Sequence, residues 1–462
     1  MSDRALARRE LAASSGSEAL VRMAGSLRWD ALGPEVRHAA KRHLVDTVGV
    51  IIAGMREDVA TKLHRSLERT APGGAVTMPG APRATSVLDA ALLGGTAGHG
   101  LELDDGYRQG SVHPGATVIP PALALACERR LSGVALLEAV VVGYEAVTAI
   151  AAACHPELRR RGFHPTSAVG VFGAALAAGW LLGLSPAGLR NAFGLAASAA
   201  GGLFAFLQGG GDVKRLHAGQ AARGGLAAAL YAEAGIAGPP SVLEARYGFF
   251  EAFACGGREG LTVPPQAPHR ITDCYVKPYA CCRHLQPAAE ALFAILRDHE
   301  IEPDDIRSIE VETYAIAAAH GATGWADFAG AQLSFPYVLA VAARFGAIDL
   351  AHFKEPHRSA PELAALAQRV RVEVAPDLDA LYPELRPARV RVSTGKGRYE
   401  AFAEEALGCR SLPLSDEGLS AKFVKLVAPV LDEAAARALL ERLWTIERAA
   451  DVSAVLEGSQ GC

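Results

Sequence analysis

Two His-Pro pairs stand where a proton could be moved. Ser111-Val112-His113-Pro114-Gly115 and Gly162-Phe163-His164-Pro165-Thr166-Ser167 each precede an alanine-rich run with helical character. Proline suits the first helical position, where its missing N–H costs nothing. Each histidine is therefore expected at a helix N-terminus, where the positive end of the dipole disfavours imidazolium. That leaves a neutral ring able to take a proton near neutral pH. A third pair, His155-Pro156, lies in a charged stretch and reads as a loop.

Charged groups accompany these histidines. In His99-Gly-Leu-Glu102-Leu-Asp104-Asp105, helical spacing puts His99, Glu102 and Asp105 on one face. With Asp104 added, three carboxylates repel, so one must be protonated or paired; a solvated helix end with capping acids is the plainer alternative. A short loop after Asp105 would fold His113 back over the acids. Further on, Gly209-Gly-Gly-Asp212-Val-Lys214-Arg215-Leu-His217-Ala-Gly219 suits an anion. Asp212 can cap a helix, the glycines admit a ligand to its amides, and Lys214 and His217 share a face. An ordinary basic turn is the alternative there. In Tyr275-Val-Lys277-Pro-Tyr279-Ala-Cys281-Cys282-Arg283-His284-Leu-Gln286, zinc is disfavoured, because adjacent cysteines cannot readily both bind one tetrahedral ion. Lys277 with Arg283 or His284 reads instead as a reach toward an anionic substrate.

These groups need a scaffold. A chain of 462 residues exceeds what one hydrophobic core normally supports, so two domains are expected. At 50% hydrophobic and 21% charged the chain is globular, and its net charge of -4 offers no footprint for nucleic acid or an anionic membrane. Its eight cysteines include no C-x-x-C pair and read as reduced thiols. Met1–Glu10 lacks the continuous apolar stretch of a secretory signal. The apolar run from Leu136 to Cys154 carries Glu138 and Glu145, which fits a buried helix better than a membrane span. A cytoplasmic protein is the expectation.

Helical character begins near Ser17 and lasts to about Gly260. Val36, Ala40, His43, Leu44, Val48 and Ile51 recur at helical spacing, and further helices are expected near 86–103, 116–130, 132–154, 166–183, 186–200 and 213–235. Val263-Pro-Pro-Gln-Ala-Pro268 marks a linker. Beyond it Ile306–Tyr314, Val370–Val374 and Ala388–Ser393 alternate as strands, and Thr394–Arg398 turns the last into a hairpin with Tyr399–Phe402. Lys396 is not followed by Ser or Thr, so this turn is not a phosphate loop. With helices at 285–298 and 334–345, the expected fold is mainly α with an α+β part. Residues 1–267 and 405–462 would form a large all-helical domain and residues 268–404 a smaller α+β domain.

Taken in order, His99–Asp105, Ser111–Gly115, Gly162–Thr166, Lys214–Gly219, Gly235–Pro239, Tyr275–Ala280 and Ala331–Pro336 resemble the MmgE/PrpD family over nearly the whole chain. The resemblance implies an all-helical domain, an α+β lid domain, an active site between them, a homodimer, and no metal or organic cofactor. It implies one of the family's activities, which include 2-methylcitrate dehydratase, cis-aconitate decarboxylase and iminodisuccinate epimerase. It places catalytic or substrate-binding roles on His113, His164 and Lys214. The decarboxylase pattern Asp-Phe-Asp-Asp-Thr is here Glu102-Leu103-Asp104-Asp105-Gly106, and Cys282 stands where the decarboxylase lid has a histidine, with His284 two residues on; these losses argue against cis-aconitate decarboxylation and leave the substrate open.

These reactions share a carbanion-like state beside a carboxylate. His113 and His164 are expected to divide acid and base roles. His164 is favoured as base, because carboxylates near His113 would keep that ring protonated. Lys214 would anchor the substrate carboxylate and hold developing charge, with Asp104 or Glu102 orienting or relaying. Asp105, His217, Lys277, Tyr279, Cys282, Arg283 and His284 are expected to line a small carboxylate, over which the two domains close. Loss of hydroxide makes the chain a dehydratase, the first expectation. Loss of CO₂ makes it a decarboxylase, and reprotonation on the other face an epimerase. A secondary-metabolism cyclase or dehydratase, and a non-catalytic binding protein on the same scaffold, are rivals that Gly106 and Cys282 favour.

Overall fold

The computed structural model describes residues 15–70, 73–208, 212–256 and 261–461. The readings made on Met1–Glu10 and Gly209–Gly211 lie outside these residues. The chain divides into two compact units: one runs to Gly100, through Asp104–Cys274 and on from Asp416, the other takes Leu101–Leu103 and Tyr275–Ser415. The second unit begins later than the composition change at 268, because the residues before it are tied to the helices. Buried Glu145 accepts hydrogen bonds from the backbone N–H groups of Arg270 and Ile271, both at 3.0 Å.

The first unit is helical. Its helices up to the linker are Gly16–Ser26, Pro34–Gly54, Asp58–Thr70, Val87–Gly98, Gly115–Glu128, Gly133–Cys154, Pro165–Leu181, Pro186–Ala196 and Asp212–Glu233, with shorter turns between them. Local chemistry sets many of the starts. Ser15, Ser86, Ser132 and Ser185 each accept a hydrogen bond from an amide in the first turn, and Pro34, Pro165 and Pro186 occupy first positions. Among the described residues, Gly133–Cys154 is the one helix long and apolar enough to cross a membrane. It is mostly buried and packs against Pro34–Gly54, Gly115–Glu128 and Pro165–Leu181.

Small residues bring the central helices close. Asp212–Glu233 packs on Val87–Gly98 and on Pro165–Leu181. A Cβ on Gly95 would stand 2.7 Å from Gly219 Cα, and one on Gly219 only 2.2 Å from Leu92 O. Gly219→Ala must therefore push the two helices apart. Overpacking of this kind costs about 1–3 kcal/mol, and a lowered denaturant midpoint is the expected readout. An unchanged midpoint would show that the helices part freely.

The second unit contains a four-stranded sheet in the order β2-β1-β3-β4, with β1 Ser308–Thr313, β2 Val370–Val374, β3 Ala388–Ser393 and β4 Arg398–Ala403. β1 pairs parallel with β2 and antiparallel with β3, which makes the expected hairpin with β4. Alternation decides the faces: Ile309, Val311, Val390 and Val392 are buried, and Gln286–Asp298 packs on β3 and β4. The other face is a lattice of charge in which Glu312 contacts Arg389 and Arg391, both at 2.5 Å, and Glu400 contacts Arg391 at 2.5 Å.

After this unit the chain returns to the helical one. Asp416–Leu431 packs on Pro34–Gly54, and Lys422 Nζ reaches Asp46 Oδ1 at 2.6 Å with both side chains buried.

Candidate active site

The acidic motif is not a helix face. Val87–Gly98 ends with His99 as its C-cap, and the chain then turns through Glu102, whose φ is 54°. Gly98 and Gly100 flank the stop with poor helix formers, and a left-handed residue cannot continue a helix. Each carboxylate consequently finds its own partner, which removes the repulsion expected among them. Asp104 Oδ2 lies 2.6 Å from His99 Nδ1 and 3.3 Å from His113 Nδ1. Glu102 belongs to the second unit, where its Oε2 is 3.5 Å from Lys277 Nζ.

Asp105 was expected among the substrate-binding residues. It is fully buried, and its carboxylate is committed to the protein. Gly115 N–H donates to Oδ1 at 2.9 Å, the Tyr144 hydroxyl donates to Oδ2 at 2.7 Å, and His43 Nδ1 lies 3.0 Å from Oδ2. Burial, followed by the nearby Asp105 charge, pushes the Tyr144 hydroxyl well above its usual range, so it remains a neutral donor. A Cβ on Gly115 would stand 2.7 Å from Asp105 Oδ1 and 2.5 Å from Thr47 Oγ1, which explains glycine after His113-Pro114. Asp105, Tyr144 and His43 are positioning residues.

What they position is His113. An antiparallel bridge between Tyr107 and Val112 closes the intervening loop, and the ring is folded back so that Nδ1 meets the Asp105 carbonyl at 2.6 Å. Its backbone N–H donates to Thr166 Oγ1 at 3.3 Å. Nδ1–H is thus the donor to the Asp105 carbonyl. The helix here starts at Gly115 with Pro114 as N-cap, one residue later than expected, because the Asp105 side chain takes the Gly115 amide.

His164 does cap its helix directly, with Pro165 in the first position. Its Nδ1 is 3.1 Å from His217 Nδ1, and its ring meets the Phe204 and Phe206 rings edge-on at 5.3 and 5.6 Å. Burial first, then the neighbouring His99, His217 and His113, hold His164 well below the ordinary 6.5. Burial, with His99 and Lys214, lowers His217 to about 4. Both rings are neutral near neutral pH, so at their contact one donates and the other accepts. His164, the ring favoured as base, thus sits among aromatic rings and other imidazoles. With His99–His113 at 5.1 Å, His99–His164 at 5.6 Å and His164–His217 at 5.2 Å between ring centres, four imidazoles form a continuous row.

This row ties stability to acidity. His164 and His217 bind protons more weakly folded than unfolded, so the unfolded chain takes up protons first as pH falls below 6.5. Their contribution is complete above that pH and is lost as pH falls toward about 4, the folded value of His217. The thermal midpoint should be flat above about pH 7 and fall below it, less steeply in His217→Asn. Equal slopes in both proteins would show that His217 titrates alike folded and unfolded.

Lys214 and His217 lie on Asp212–Glu233, which begins at Asp212 itself. Asp212 is inside the first turn with its carboxylate 3.2 Å from Arg215, not a cap from outside. Lys214 is half-buried on the following turn, close enough to lower the His217 pKa by its charge.

The remaining expected residues are in the second unit, and several are internal ties. Arg283 is buried and donates to Gln286 Oε1 at 2.8 Å and to the carbonyls of Ala406 and Leu407 at 2.7 Å. It ties its own turn to the Ala406–Leu407 segment. The Tyr279 hydroxyl donates to Glu290 Oε1 at 3.0 Å. His284 Nδ1 meets the Tyr314 hydroxyl at 2.5 Å. Half-buried Cys282 lies 4.0 Å from His320 Nε2. Gln332, part of the Ala331–Pro336 motif, donates to the carbonyls of Leu101 and Ala280 at 2.7 and 2.8 Å.

Reading the sequence missed Tyr144, Thr166 and the role of His43. His43 was visible as a polar residue at apolar helical spacing, but nothing along the chain links it to Asp105.

Comparison with known proteins finds matches to both halves of the chain. The MmgE/PrpD N-terminal domain matches residues 18–260 and the MmgE/PrpD C-terminal domain residues 279–446. The chain is 28% identical over 468 residues to a cis-aconitate decarboxylase of Aspergillus terreus, covering 94% of each. It is 29% identical over 454 residues to the cis-aconitate decarboxylase-like protein oryM of Aspergillus oryzae, covering 91% of this chain and 92% of that one. A human cis-aconitate decarboxylase is 27% identical over 442 residues, with 91% and 90% covered. Matched in both halves, and in the order its motifs follow, the chain belongs to the MmgE/PrpD family.

Proposed function

We propose that this protein is a carbon–carbon lyase that removes CO₂ from a small unsaturated polycarboxylate, cis-aconitate or a close analogue. The observation that carries this reading is His113, held by the Asp105 carbonyl with Asp104 beside it. A carboxylate at 3.3 Å stabilises the imidazolium form, and a charged ring is an acid. The relatives, cis-aconitate decarboxylases matched along almost their whole length, favour this over the dehydration expected first.

The steps follow from the charges. Lys214 holds a substrate carboxylate, assisted by the one Nε2–H that the neutral His164–His217 pair keeps beyond its mutual hydrogen bond. Departure of CO₂ leaves its bonding electron pair on carbon, conjugated with a remaining carboxylate and stabilised by the Lys214 charge. His113 then gives its Nε2 proton to carbon, so one solvent proton is consumed for each CO₂ released. Glu102, Gly106 and Cys282 depart from the decarboxylase pattern and are where substrate preference would differ.

The test is proton NMR of the purified chain in D₂O with cis-aconitate and a panel of related acids. The expected result is release of CO₂ with one deuteron in each product molecule. Loss of water from a hydroxy acid with every carboxylate retained would replace this reading with a dehydratase.

A further inference from the structure

We propose that His99, Asp104 and His113 bind a divalent transition ion of the zinc type, and that the bound ion inhibits the enzyme. Among the described residues, these form the group of three His, Cys, Asp or Glu side chains whose ligand atoms all lie within 4.8 Å of one another. Two imidazoles and one carboxylate oxygen are the three-ligand set that zinc accepts while keeping a fourth position open. Imidazole also suits copper and nickel.

Two of the three ligand separations fit with little movement, and the third, between His99 and His113, is within 4.8 Å. Tetrahedral zinc with bonds of about 2.0–2.1 Å sets its ligand atoms roughly 3.3 Å apart. Asp104 Oδ2 is already 3.3 Å from His113 Nδ1 and 2.6 Å from His99 Nδ1. The first contact suits an ion as it stands, and the second must open by less than an ångström. Coordination through His113 Nδ1 exchanges its present partner, the Asp105 carbonyl, for the ion.

Burial and charge point the same way. His99 and Asp104 are closed off from solvent, with side-chain exposure of 1% each, whereas His113 keeps 16% and forms the side of entry. A buried carboxylate among imidazoles is costly unless compensated, and a dication compensates it more strongly than a proton does. His164, its ring 5.6 Å from that of His99, adds a further imidazole to the surroundings. The inhibition, though not the binding, rests on the function proposed above, because the ion occupies the ring that would deliver the proton.

The experiment titrates the full-length, chelator-treated protein with CoCl₂, whose visible absorption reports four-coordinate nitrogen and oxygen ligation, and then displaces it with ZnCl₂. One ion per chain is expected, with zinc binding weakened more than about tenfold in His113→Asn. Asp104→Asn, nearly isosteric and without the charge, provides the second variant, and circular dichroism reports which variants are folded. Absence of cobalt absorption in the wild type, or wild-type affinity in the folded variants, would overturn the site. Turnover of cis-aconitate is followed in the same samples. Stoichiometric binding without loss of turnover would keep the site and overturn both the inhibition and the acid role of His113.

Discussion

His113→Gln is expected to lower turnover by about 10²–10⁴-fold, the usual worth of a positioned proton-transfer group, while leaving the protein folded. The ring is the partly exposed member of its cluster, so replacing it leaves the buried core beneath in place. Glutamine retains a donor for Asp105 but cannot carry a proton to carbon. Decarboxylation without an acid should leak products in which the deuteron arrives slowly and without facial preference. Chiral analysis of the product formed in D₂O, beside the rate, separates lost proton transfer from lost binding. A folded variant within tenfold of wild type would remove His113 from the chemistry, and Cys282, beside His320, would be examined next.

Lys214→Met should cost about 10²–10³-fold, the usual effect of removing one group that stabilises charge as it develops. The change keeps the length and apolar stem of a half-buried side chain, so little packing is lost. It carries an internal control. The Lys214 charge is one of the causes that lower His217 to about 4, so removing it should raise that value, visible in the histidine resonances on titration. A raised His217 value with more than a tenth of wild-type turnover would show that Lys214 shapes the field without anchoring substrate. Lys214→Arg keeps the charge and should fall between the two.

Much of this architecture was legible along the chain, and physical reasons separate what was from what was not. Helix starts were readable because serine caps and first-position prolines act within one turn of chain. The sheet was readable because β1 and β3 each bury one face. Asp58–Thr70 passed unread although Val59, Ala60 and Leu67 mark its buried side. The acidic motif misled, since His99, Glu102 and Asp105 keep helical spacing across a point where the backbone turns left-handed at Glu102, and glutamate does not advertise that conformation. Arg283 shows a different limit: its type suggests an anionic partner, and nothing along the chain announces the carbonyls of Ala406 and Leu407 that it meets. Contacts such as Tyr144 with Asp105, 39 positions apart, follow from how helices pack and leave no local trace.

The buried Lys422–Asp46 pair joins the Asp416–Leu431 helix to a helix near the other end of the chain, and this bears on biosynthesis. On the ribosome, Asp46 emerges long before its cation, with the whole Tyr275–Ser415 unit translated in between. Apart from Leu101–Leu103 that unit is one continuous stretch, able to collapse as soon as it is complete, whereas the helical unit must wait for its final segment. Until then Pro34–Gly54 shows the nascent chain an apolar flank and an unneutralised acid. Emergence of Asp416–Leu431 from the ribosome, more than any earlier stage of elongation, is the point from which this half can bury that flank and dispense with chaperone protection.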